Sequence, residues 1–191
     1  MMSYTSLSDL ERALYQAHNV VSGVSPSQFN ESTPCAKWNV KDLLNHMVGG
    51  AMMFGMVTRG DTLPDAPDAT DFTSGDVVSS FDAARQSILA AWEEPGVEER
   101  EMNFPFATLP AEMAARVELM EVLTHTWDLA HATGQDALLD DSLAENVLDF
   151  AGAIVPDESR SPQGEPFGFV IKEPDSAPPY VRLAGLMGRQ P

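Results

Sequence analysis

The stretch EVLTHTWDLAH, residues 121–131, gathers a carboxylate, an aspartate, a tryptophan and two of the chain's four histidines into one short segment. Glu121 and His125 stand four apart, the spacing at which two helical side chains lie one turn apart on a common face and offer two donors to one ion. Asp128 falls on nearly the same face as Glu121, since seven residues stop ~20° short of two full turns. His131 lies six residues past His125 and points away from it, so the two histidines do not serve one site on this helix. A lone Glu–His pair is also common on solvated helices. Here Val117, Leu119, Met120, Val122, Leu123 and Trp127 surround it, with Glu118 the one other charge. Polar groups in so apolar a helix need buried partners, and a divalent ion would satisfy both at once.

Two side chains rarely hold zinc, so a third donor must come from elsewhere. His46, within DLLNHMVGG, is the candidate, although a histidine in an apolar helix is by itself more often a satisfied core residue than a ligand. Gly49 and Gly50 just beyond it weaken a helix by ~1 kcal/mol each against alanine, which suggests a close helix contact in compensation. Cys35, in a Pro-flanked linker, reads as packing. His18 has Leu14 and Ser22 at its helical neighbours and reads as a surface residue. Met47, Met52, Met53 and Met56 read as core, and Trp127 likewise. Asp128 either orients a ligand histidine or satisfies backbone near the helix end, with the second reading slightly favoured. No Gly-rich phosphate loop and no nucleophile elbow is present.

The elements that must position these residues are helical. Leu7, Leu10, Leu14, Ala17, Val20 and Val21 form an apolar stripe for a first helix, capped by Ser6 or Ser8 and ending near Gly23. Asn39 caps a second helix carrying His46. A third spans Asp76 to Trp92. The segment EEPGVEEREMNFPFA shows no clear strand alternation. Thr108 starts a fourth helix that runs to Thr133 and stops at Gly134, and a fifth runs from Asp141 to about Val155. Residues 156–191 form a Pro/Gly-rich arm, with GFVIK as a short strand and a last helical turn from Val181 to Met187. The expected fold is all-α: an antiparallel four-helix bundle over residues 1–155, with an additional short helix and an irregular C-terminal arm, 156–191, packed on it as part of the same domain.

The totals agree with that reading. A chain of 191 residues with 43% hydrophobic residues has the size and composition of a globular domain. Its net charge of −18, from 29 acids and 11 bases, argues against nucleic acid and against an acidic membrane surface as partners. The single cysteine excludes an intrachain disulfide, and the N-terminus lacks the pattern of a signal peptide, so a cytoplasmic location is expected.

Three segments, STPCAKWNVKDLLNHMVGG, EVLTHTWDLAHATG and APPYVRLAGLMGRQP, in this order, resemble the DinB-like superfamily. More closely they are similar to its short actinobacterial branch, related to the N-terminal domain of mycothiol-dependent maleylpyruvate isomerase. The resemblance implies a four-helix bundle with a divalent metal, zinc or nickel, between helices. It places the ligands on His46, Glu121 and His125, the three residues that spacing selects. It also implies a low-molecular-weight thiol such as mycothiol as co-substrate. The isomerase has a further C-terminal domain where this chain has its arm. No motif marks a residue for a thiol's or substrate's carboxylate; Arg59, Arg85 and Arg116 are the possibilities. Three functions compete: a metal-dependent thiol transferase or isomerase acting on a small electrophile, a non-catalytic metal-binding or ligand-sensing protein, and a metal-free helical interaction module. A homodimer is compatible with each.

Overall fold

Three of the helices begin where a short polar side chain accepts from a free backbone N–H. In the computed structural model, which describes residues 4–36, 38–64, 70–162, 164 and 167–190, Asn39 Oδ1 accepts from Asp42 N–H at 2.9 Å and Asp42 Oδ2 accepts from Asn39 N–H at 3.2 Å. This reciprocal cap starts α2, Val40–Arg59, which ends at Gly60 in the left-handed region. Helix α1, Tyr4–Ser22, begins ahead of the expected Ser caps, which lie inside it. Asp76 caps α3, Val77–Trp92, through the Ser79 N–H.

Helix α4, Ala111–Thr133, carries Glu121 and His125 and ends as expected at Gly134, φ 70°. Its start differs from the expectation at Thr108. Thr108–Pro110 is instead strand β2, paired antiparallel with β1, Glu101–Asn103, in the register Met102↔Leu109. Strands of three residues are too short to display an alternating pattern, so this hairpin is invisible to periodicity. The expected fifth helix is broken into α5, Asp141–Glu145, and α6, Leu148–Ile154. Helix α7, Pro179–Leu186, replaces the last turn.

The four longest helices share one apolar core, α1 packing on α4 and α3, and α2 on α3 and α4. The close helix approach is at Gly55, where an added Cβ would sit 3.2 Å from Ser87 Oγ. Gly49 and Gly50 make no such contact and border a cleft, contrary to the sequence reading. Met52 is likewise exposed, where core was expected. No helix among the described residues is long and apolar enough to cross a membrane.

Helix α7 packs on α5, α6 and α4 and so carries the C-terminal residues back to the helix that bears the candidate ligands. Residues 168–172 form no strand. They run beside the end of α7, with Gly168 N–H and Ile171 N–H donating to the carbonyls of Met187 and Gly185. At the crossing, Gly188 holds φ 74° and lies against the Gly168 backbone. Gly188→Ala is therefore expected to destabilise the chain by at least ~1–2 kcal/mol from the left-handed backbone alone, with steric overlap added. A lowered midpoint in thermal unfolding checks it.

Candidate metal centre

Helices α2 and α4 bring the three predicted donors together. Glu121 Oε1 lies 2.9 Å from His46 Nε2 and 3.2 Å from His125 Nε2, so both rings address one carboxylate oxygen. The donor atoms of His46, Glu121 and His125 all fall within 4.8 Å of one another. The rings themselves stand edge to face, centroids 4.7 Å apart, and Trp38 lies 4.4 Å from His46 and 5.7 Å from His125. His125 is buried, while His46 and Glu121 are each about one-third exposed. The open side of the cluster meets a cleft of about 720 Å³, which His46 borders with Trp38, Lys41, Gly50, Met53 and Phe72. Across it, Lys41 Nζ is paired with Asp71 at 2.8 Å.

The closed side joins a pair three residues apart on α4, His125 and Asp128, to an arginine that sequence spacing did not bring in. His125 Nδ1 donates to Asp128 Oδ2 at 3.0 Å. An ionised carboxylate only accepts, so this bond places a proton on Nδ1 and directs Nε2 toward Glu121. Asp128 is fully buried and is not a backbone cap, which corrects the sequence reading. Its charge is met by Arg189, whose Nε and Nη2 lie 3.3 Å from Oδ1 and Oδ2. Arg189 also donates to the Met187 carbonyl and to Cys35 Sγ, so the linker, α4 and the C-terminal segment meet at one guanidinium. Sequence reasoning missed Arg189; the one signal was its place in the third quoted segment.

The other arginines considered are engaged elsewhere. Arg59 pairs with Asp61, Arg85 with Asp82 under the Tyr15 ring, and Arg116 covers Phe150. His131 stacks on Trp127 and bonds Asp136, away from the cluster, as its spacing implied. Trp127 is core, also as expected. His18 is only partly exposed, with Nδ1 3.9 Å from Asp82.

Charge and burial oppose each other across the cluster. Burial alone would lower the His125 pKa, but the Glu121 charge and the Asp128 hydrogen bond outweigh it and raise it to about 9. Burial would raise Glu121, yet the His125 charge and the bonds from both histidines hold it well below its usual range. Burial would lower Arg189, and the Asp128 charge reverses that. Beside the cluster, burial pushes Glu118 up to about 8 against its bond from Trp92.

A pH dependence follows for the metal-free protein. Between the ordinary values, 4.5 and 6.5, and the raised ones, Glu118 and His125 bind protons that the unfolded chain has released. Stability from these two groups is therefore present in acid and lost as pH rises through about 8 and 9. Glu121 acts oppositely, contributing above its ordinary 4.5 and losing that contribution on acidification. Maximum stability is expected in mildly acid solution, falling toward pH 9. Denaturant titrations across that range check it, and a flat profile contradicts it.

The fold finds a counterpart among known proteins. The family described as the mycothiol maleylpyruvate isomerase N-terminal domain matches residues 10–130, which include all three donors. The chain belongs to that family. Its family relatives include an uncharacterized protein of Mycobacterium tuberculosis, found in two strains, 33% identical over 171 residues that cover 89% of this chain and 90% of the relative. A crystal structure of a histidine-to-alanine variant of the mycothiol-dependent maleylpyruvate isomerase aligns with a TM-score of 0.55 and 12% identity, over 78% of this chain and 68% of that one. At that identity the likeness concerns the fold: all-α and DinB-like.

Proposed function

We propose that this member of the mycothiol maleylpyruvate isomerase N-terminal domain family holds a divalent metal ion, zinc or nickel, on His46, Glu121 and His125. The observation that carries the reading is the meeting of three nitrogen and oxygen donors at one point, open on one side to the cleft. The donor set fits such an ion. Two imidazoles and a carboxylate suit zinc and nickel, and three protein donors leave a position for a further ligand. Asp128 fixes the His125 ring, as the outer partners of metal-binding histidines do.

We further propose that the cleft takes a small thiol, such as mycothiol, with an electrophilic partner for S-transfer or isomerisation. A bound zinc or nickel ion would supply the lowering of a thiol's pKa that yields a thiolate at neutral pH. The chain's own residues do the rest. Gly49 and Gly50 keep the cleft floor bare beside His46, and Trp38, Met53 and Phe72 offer apolar walls for the body of a ligand. Lys41, Asn45 and Asp71 supply its polar rim. Arg189 stays behind Asp128 and does not face the cleft as a carboxylate binder.

Metal analysis of purified protein, with thermal unfolding in the presence and absence of zinc or nickel, tests the first step. Stoichiometric metal and a raised midpoint are expected; neither would leave a metal-free module. Turnover of electrophiles that requires the thiol and is abolished in His46→Ala is expected for the second. Metal bound without thiol-dependent turnover would leave a non-catalytic metal protein.

A further inference from the structure

Beside the three donors lies a small chamber of about 30 Å³ that shares His46 and Gly50 with the cleft. Its wall combines apolar residues, Phe54 and Phe81 among them, with four polar ones: His46, Glu121, His125 and Glu118. Glu118 has no role in the metal centre as described. It is fully buried, and its Oε2 accepts from Trp92 Nε1 at 3.0 Å. Its Oε1 is buried without a hydrogen-bond partner among the described residues.

Two things distinguish this chamber from a packing defect. Dry cavities in proteins are apolar, whereas a buried water needs roughly 10–15 Å³ of accessible volume and two to four polar partners. The chamber has that room and those partners. A buried carboxyl oxygen also requires a partner, and the described side chains give Oε1 none. Burial, moreover, favours the un-ionised acid, which leaves Glu118 a proton to donate.

We propose that this chamber is a built site for one water molecule, that Glu118 donates its carboxyl proton in a hydrogen bond to that water, and that the water joins Glu118 to the three-donor cluster. Glu118 touches no reacting atom and is a positioning residue. A ligand seated among the donors then meets an ordered water backed by an acid. Only that consequence rests on the metal reading; the water site does not.

The test uses the full chain at neutral pH, by infrared spectroscopy and a crystal structure at a resolution that shows waters. The wild type is expected to show the carbonyl stretch of an un-ionised carboxylic acid and one ordered water within hydrogen-bond distance of Glu118 Oε1. Glu118→Gln keeps an acceptor for Trp92 and is expected to lose the stretch while retaining the water. Glu118→Met fills the chamber and is expected to lose both. A dry chamber in the wild type, or a carboxylic acid stretch unchanged in Glu118→Gln, overturns the proposal. Neither readout needs bound metal or turnover, so failure here and failure of the metal reading are separately visible.

Discussion

His125→Ala protein is expected to purify with no more zinc or nickel than its buffer carries, and its thermal midpoint is expected to ignore added metal. His125 is the most buried of the three donors, and its ring is fixed from behind by Asp128. Loss of an outer partner of a ligand costs roughly 10–100-fold in metal affinity. Removal of the ligand itself should exceed that range. In the wild type, metal at one hundred times its dissociation constant would add ~2.7 kcal/mol of stability, and the variant should lose that increment. Without metal, its Asp128 still faces Arg189, so the metal-free fold survives. Isothermal titration with zinc, paired with unfolding curves, separates the two effects. Wild-type affinity in His125→Ala would exclude this residue as a ligand.

The parts of the centre that sequence revealed are those joined by local rules. Glu121 and His125 lie one turn apart on α4, and helix geometry alone put them on one face. Asn39 and Gly134 announced their helix boundaries because capping chemistry is local. His46 needed more: it was selected as a histidine on a second apolar helix, and the packing of α2 on α4 set it beside Glu121. What spacing could not show was the support behind the ligands. Arg189 is separated from Asp128 by 61 residues and from Cys35 by 154, and follows a segment rich in Pro and Gly with no regular period. Nothing local marks that encounter. For Asp128, His125 stands only three residues away and the orienting role was one of its two readings, but the Arg189 that answers its charge lay out of sight. Gly49 and Gly50 were misjudged because a glycine pair in a helix can serve a close neighbour or an open cleft, and composition does not distinguish them.

That hidden support carries the second large effect. Arg189→Met is expected to destabilise the metal-free chain by ~3–5 kcal/mol, because removing one partner of a buried pair leaves the other charge uncompensated. Asp128 has no exposure, and its remaining contact in that variant, His125, would have to neutralise it alone. Arg189→Lys should recover part of the loss, since it keeps the charge but not the planar fork that spans Oδ1, Oδ2 and the Met187 carbonyl. The double variant Arg189→Met with Asp128→Asn decides between charge and packing as the cause. If the uncompensated charge dominates, the double variant is more stable than Arg189→Met alone, and a double-mutant cycle in urea returns a coupling of at least ~1 kcal/mol. If the two losses simply add, the guanidinium acts as packing for the C-terminal segment and not as the counter-charge of Asp128. The cycle also bears on the centre, since Asp128→Asn weakens the acceptor that orients His125. Metal affinity should then fall about 10–100-fold in the double variant even where stability is regained.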